Sequence, residues 1–234
     1  IYNLKRRGKL IYKTEGKVNA WAPEIHFFSG KWYIYFAVPK SNEIDRRMFV
    51  LEGDKALGPY NFVGQITDKT DKWAIDGTIL EWNDNLYFIW SGWEADINEK
   101  QNIYIAHMSN PVMIDSERVM ISTPKYELEK VGFPMVNEGP EVLVKNNKLY
   151  IIYSASGSWT KDYCLGMLTF DGGDIMDKNS WKKRSTPVFK TNNNILGPGH
   201  ACFVRDEYGN DLIIYPFLDD NSIDWEKRVV RMKN

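Results

Sequence analysis

The chain has 234 residues, with 30 Lys and Arg set against 31 Asp and Glu, a formal net charge of −1, and that near balance disfavours a nucleic-acid partner. No apolar run approaches the roughly 20 residues that span a bilayer, and the first residues lack the apolar stretch of a secretion signal, so a soluble chain without a membrane partner is expected, its compartment left open. With 43% apolar residues this length closes one sizeable core, and residues 1–234 are expected to form a single domain.

In chain order, Ile1–Arg6 and Lys9–Lys13 read as two short outer strands with no hairpin before them. The first full unit opens at Trp21-Ala22-Pro23-Glu24-Ile25-His26, turns through Ser29-Gly30-Lys31, returns over Trp32–Ala37, and adds strands at Arg47–Leu51 and Tyr60–Gly64. A second opens near Asp76-Gly77, turns at Asn83-Asp84-Asn85, returns over Leu86–Trp90, and adds Asn102–Ala106 and Arg118–Ile121. A third opens near Glu138-Gly139-Pro140, turns at Asn146-Asn147, returns over Leu149–Ser154, and adds Tyr163–Leu168 and Pro187–Phe189. A fourth opens at His200, turns at Tyr208-Gly209-Asn210, returns over Leu212–Tyr215, and adds Arg228–Met232. Each carries period-2 alternation and turn residues, with no helical period anywhere. Openings at 21, 76, 138 and 200 give a repeat of roughly 55 to 62 residues, somewhat longer than tabulated propeller repeats. Four strands per repeat argue for an all-β, five-bladed β-propeller whose first and last blades are incomplete in this chain.

In that architecture the starts of the innermost strands converge at one end of a channel. Asp76, Glu138 and His200 hold that position in three units, and Trp21 to Glu24 hold it in the unit before. Two carboxylates at one mouth suit acid/base work on an acetal, because a neighbouring negative charge keeps one of them protonated. Glu138, longer and fixed by the Gly139-Pro140 bend, fits the proton donor, and Asp76 fits the group that tunes it. Each motif alone is also an ordinary turn sequence; recurrence in register separates the two readings. Glu24, Glu81 and Glu141 read as strand-face residues, and His26 and His107 as structural histidines. His200, after Gly197-Pro198-Gly199, could bind substrate, hold a water or ligate a cation; alone it is not a metal site. Nine Trp and loops such as Ser91-Gly92-Trp93-Glu94 and Ser154-Ala155-Ser156-Gly157-Ser158-Trp159 suit a sugar rim, with Trp21, Trp93, Ser156 and Trp159 as candidate contacts. Cys164 and Cys202 read as free thiols. Serine-hydrolase elbows, zinc-protease, phosphate-loop and dinucleotide motifs are all missing.

At Trp21–His26, Ala74–Thr78, Asn137–Glu141 and Gly197–His200, with Gly30–Ala37 between, the chain resembles glycoside hydrolase family 43. Within it, Tyr153–Ser156 and Asp162–Gly166 resemble exo-acting α-L-arabinofuranosidases. The resemblance implies an inverting hydrolase of arabinan or arabino-oligosaccharides, with plant cell-wall polysaccharide as substrate, Glu138 as general acid and Asp76 as pKa modulator. It also implies an Asp general base on the first blade's innermost strand. The first Asp in the chain is Asp45, inside a later strand-loop unit, so a fragment lacking N-terminal strands is expected. Some members carry a calcium ion near the histidine matching His200, and Arg231 matches a basic residue of the last blade. A β-xylosidase of the same family and a non-hydrolytic sugar-binding propeller are the competing readings.

Overall fold

The computed structural model describes residues 19–218 and the backbone of 229–233. It is all-β, with two single-turn 3-10 helices, Glu127–Glu129 and Lys178–Ser180, among the described residues. The strands form four consecutive antiparallel meanders. The first is β1 (Trp21–Phe28), β2 (Lys31–Pro39), β3 (Arg46–Gly53) and β4 (Asn61–Ile66). The second is β5 (Ala74–Trp82), β6 (Asn85–Gly92) and β7 (Lys100–Asn110), with β8 (Met113–Ile114) and β9 (Val119–Ser122) both pairing β7. The third is β10 (Met135–Lys145), β11 (Lys148–Ala155), β12 (Cys164–Phe170) and β13 (Trp181–Lys183). The fourth is β14 (Cys202–Arg205), β15 (Asp211–Phe217) and β16 (Val229–Lys233).

The polar turns set the register. In the first three meanders two residues separate the strands, and at Ser29-Gly30, Asn83-Asp84 and Asn146-Asn147 both have positive φ. That is the left-handed pair whose twist matches a hairpin, and Gly, Asn and Asp tolerate it best. In the fourth, Asp206 closes a five-residue loop by accepting from the backbone N–H of Tyr208 and Asn210.

One expected strand moves. The edge of the third meander is Trp181–Lys183 rather than Pro187–Phe189, which contributes a single bridge between Phe189 and Leu165. Pro187 has no N–H to give a ladder, whereas Trp181 buries its ring and donates to the Ile175 carbonyl at 2.9 Å. The expected strands Ile1–Arg6 and Lys9–Lys13 lie outside the described residues.

The apolar faces are buried between successive meanders. Tyr35, Met48 and Val50 of the first pack with Ile79, Phe88 and Tyr104 of the second. Leu80, Ile89 and Ile105 of the second pack with Ile151, Tyr153 and Leu168 of the third. Ile152 and Leu165 of the third pack with Tyr215 and Phe217 of the fourth. The sheets therefore stack in series, and their first strands become neighbours, β1 beside β5, β5 beside β10 and β10 beside β14.

Candidate active site

Three of those four first strands share one local device. In β1, β5 and β10 the ladder gains an extra residue between Trp21 and Glu24, Ile75 and Thr78, and Glu138 and Glu141. Within each bulge stands a left-handed residue, Ala22 (φ 42°), Asp76 (φ 56°) and Gly139 (φ 52°), and His200 (φ 45°) precedes β14 in the same conformation. Such bulges re-aim side chains. They also correct the sequence alignment by one residue. Asp76 is the equivalent of Gly139, not of Glu138, whose equivalents are Trp21 and Ile75. Gly77 follows because a Cβ there would lie 2.1 Å from the Phe88 ring.

The offset sets Asp76 against the backbone beside Glu138. Asp76, buried on β5, accepts the Gly139 N–H through Oδ2 at 3.0 Å, so it grips the residue next to Glu138. Burial pushes its carboxyl up to about 7, against the lowering effect of that N–H. Glu138 is part-buried, and its Oε1 accepts from the Tyr163 hydroxyl at 2.6 Å. Tyr163 is fully buried, and burial first, then the Glu138 charge, pushes its phenol well above the usual value. Ser154 on β11 also hydrogen-bonds the phenol, and Ser154 Oγ accepts the His200 N–H at 2.6 Å. The His200 ring lies over Gly139, where a Cβ would come within 3.2 Å of it.

Three residues beyond each bulge start, Glu24, Thr78 and Glu141 occupy equivalent places, and Cys202 heads β14 beside them. Glu24 hydrogen-bonds both Thr78 and Glu141, and the Cys202 thiol, raised to about 11 by burial, feels both glutamates. The expectation of plain strand-face residues is thus corrected for Glu24 and Glu141: their strands turn them toward one another. Burial, with the Asp76 charge, outweighs the lowering by Thr78 and Glu141 and raises Glu24 to about 8, although 27% of its side chain is exposed. Burial and Glu24 push Glu141 well above its usual range. His26, held near 4 by burial, stays neutral and bonds Glu24 at 3.1 Å. Because the native pKa values of Glu24 and Glu141 are raised, the folded state binds more protons at these two groups than the unfolded one above the usual carboxylate range. Their stabilisation is complete below about pH 4 and is lost as pH rises toward about 8. Glu24→Gln is therefore expected to flatten the fall in Tm between about pH 5 and about pH 8, as read by calorimetry across that range.

Asn137, one residue before Glu138, is fixed from all sides. Its carbonyl accepts from Ser91 Oγ at 2.9 Å, its Oδ1 from Ser122 Oγ at 2.6 Å and Lys183 Nζ at 3.0 Å, and its Nδ2 donates to Glu129 Oε1 at 3.0 Å. Lys183 and the fully buried Glu129 form an ion pair, which Tyr153 joins at 2.8 Å.

A sequence profile described as "Glycosyl hydrolases family 43" matches residues 2–233. The chain belongs to glycosyl hydrolase family 43. It is 36% identical over 203 residues to an extracellular exo-α-(1→5)-L-arabinofuranosidase of Streptomyces chartreusis, covering 83% of this chain and 61% of that protein. It is 37% identical over 205 residues to α-L-arabinofuranosidase B of Pyricularia oryzae, covering 83% and 42%. A crystal structure of an α-L-arabinofuranosidase from Lactobacillus brevis superposes with a TM-score of 0.82 at 35% identity, over 92% of this chain and 71% of that one. The chain thus spans about half the length of the curated relatives it matches.

The other expected residues of this family 43 chain fall into two groups. Trp21 (42% exposed) and Trp159 (41% exposed) keep open ring area. Trp21 is backed by the Arg46 guanidinium 3.3 Å from its ring centre, and Trp159 lies across Gly132 and Gly157. Trp93 and Ser156 are turned inward. Trp93 stacks on Trp73 at 4.8 Å, and the Ser156 hydroxyl braces the loop by donating to the Leu128 carbonyl and accepting from the Val131 N–H. Arg231 is placed by backbone pairing opposite Tyr215 on β15, its side chain outside the described residues. Asp45 is bound by Ser41 and Arg47, in that order of effect, and held below the usual carboxylate range. Among the described residues no group of three or more His, Cys, Asp or Glu side chains stands at metal-ligand spacing.

Proposed function

We propose that the chain is the catalytic module of an α-L-arabinofuranosidase that removes terminal arabinofuranosyl units from arabinan-type plant cell-wall carbohydrate with inversion. The observation that carries this is Asp76 gripping the Gly139 N–H beside Glu138, together with the arabinofuranosidase names of its relatives. Serial meanders with adjacent first strands support a single five-bladed β-propeller domain.

In this reading Glu138 protonates the leaving oxygen and a general base supplied outside the described residues activates water on the opposite face of the sugar. Asp76 has two tasks. It holds the Gly139 backbone, and when ionised its charge disfavours ionisation of Glu138 and so keeps the acid protonated. The chemistry needs acids, a base and water, and no cofactor.

Asp76→Asn keeps an acceptor for the Gly139 N–H but removes the charge. Without it Glu138 ionises more readily, so its protonated form is lost at lower pH. The high-pH limb of kcat/KM is expected to move down by about one unit or more, measured on p-nitrophenyl α-L-arabinofuranoside with the natural gene product that carries residues 1–234. An unmoved limb contradicts the tuning role. Faster turnover of the matching β-D-xyloside would replace the arabinoside reading with a β-xylosidase, and arabino-oligosaccharide binding without turnover would replace it with a sugar-binding module.

A further inference from the structure

We infer that Tyr163 is a positioning residue that assigns the transferable proton of Glu138 to Oε2, and that Ser154 and the His200 backbone fix the direction in which it does so. This rests on the reading of Glu138 as the proton donor. The argument is one of hydrogen-bond polarity. The His200 N–H can only donate, and it donates to Ser154 Oγ at 2.6 Å. Ser154 already accepts there, and since its contact with Tyr163 lowers the phenol, as only a donor to that oxygen would, its O–H is assigned to the Tyr163 oxygen. The phenol has one proton to give, and it gives it to Glu138 Oε1 at 2.6 Å. A chain that begins at a backbone amide thus ends as a donor on Oε1.

The consequence follows from the two forms of a carboxylic acid. A carbonyl-type oxygen is the better acceptor, so an O–H arriving at Oε1 favours the acid form with its proton on Oε2. As the glycosidic C–O bond breaks, its electron pair stays on the leaving oxygen, which takes the Oε2 proton. Water adds to the anomeric carbon and loses its own proton to the general base. Glu138 is left as a carboxylate, and the Tyr163 O–H bond strengthens as that charge grows, which makes it a transition-state interaction. The ring has a second, purely steric contact: a Cβ on Gly199 would lie 2.0 Å from it. Phe preserves that contact and removes only the O–H.

Two substrates separate positioning from structure. Methyl α-L-arabinofuranoside needs its leaving oxygen protonated, and p-nitrophenyl α-L-arabinofuranoside needs this far less. Tyr163→Phe is expected to lower kcat on the methyl glycoside by about 10- to 100-fold, the worth of a hydrogen bond to a charged group, with a much smaller loss on the p-nitrophenyl glycoside. The high-pH limb should also move up, since a donor that favours the carboxylate is gone; Asp76 on β5 and the His200 ring against Gly139 are the other titratable groups beside that segment. Ser154→Ala, which removes the donor that aims the phenol, should show a weaker form of the same substrate split. Glu138→Gln is run alongside. If Glu138→Gln splits the two substrates and Tyr163→Phe lowers both equally or neither, the inference is overturned and the acid reading stands. If Glu138→Gln does not split them, the acid reading falls and this inference with it. Should Tyr163→Phe fail to fold, Ser154→Ala decides: the split supports the inference and its lack overturns it.

Discussion

Glu138→Gln lowers kcat on arabino-oligosaccharides by about 10²- to 10⁴-fold, the usual contribution of a positioned general acid, with KM little changed and Tm near that of the natural protein. The fold is expected to survive because Gln keeps an oxygen to accept the Tyr163 hydroxyl, and because Gly139 stays bound to Asp76. What goes is the proton. Substrate that binds in its ordinary pose then meets a leaving oxygen with no donor, so the loss sits in the chemical step and not in affinity. Circular dichroism and steady-state kinetics on the same preparation check both halves. A variant that keeps more than a tenth of the activity removes Glu138 from the acid role.

Lys183→Met costs about 3 to 5 kcal/mol of stability at neutral pH, the typical result of leaving one partner of a buried ion pair alone. The reason lies with Glu129. Burial would raise its carboxyl, but Lys183 and the backbone N–H groups of Tyr126 and Lys125 outweigh burial and hold it below its usual range. Lys183 is pulled the other way, its ammonium lowered by burial despite Glu129, so the pair is strong only as a unit. A depressed carboxylate contributes stability that is present above its unfolded value and lost as pH falls through its native one. The gap between the variant and the natural protein should therefore be widest near neutrality and close in acid, where Glu129 protonates. Denaturant titrations at the two conditions measure this, and a gap independent of pH would show that Lys183 acts through packing alone. The same pair holds Asn137, so the variant is also expected to loosen the segment that carries Glu138.

Why some of this could be read from the chain and some could not is a matter of range. Turns such as Asn146-Asn147 and Asn83-Asp84 announce themselves because their backbone angles restrict residue type at the position itself. Asp76 and Glu138 were legible as a pair because each sits beside a Gly or Pro that marks a bend. The one-residue offset between them was not. It depends on a bulge, which is a mismatch between two strands and leaves no mark on either alone. Glu24 and Glu141 looked like strand faces for the same reason: period 2 says a side chain faces one side of a sheet, not that four sheets turn that side inward. Ser154 is an ordinary strand residue and Tyr163 stands one residue before the next strand, until the second and third strands of one meander bring the pair to Glu138. Trp93 and Ser156 misled in the opposite direction, since loop sequence resembles a rim whether the side chain points out, as at Trp159, or in, as both do here.

The measurement that bears most directly on the account is a crystal structure of the Glu138→Gln protein with an uncleaved arabino-oligosaccharide. The account predicts the scissile oxygen at about 2.6 to 3.2 Å from the side chain of residue 138, on its amide nitrogen, which stands where Oε2 stood, with Asp76 on Gly139 and Tyr163 donating to the amide oxygen. A sugar seated away from Glu138, or a scissile bond facing a different carboxylate, would contradict it.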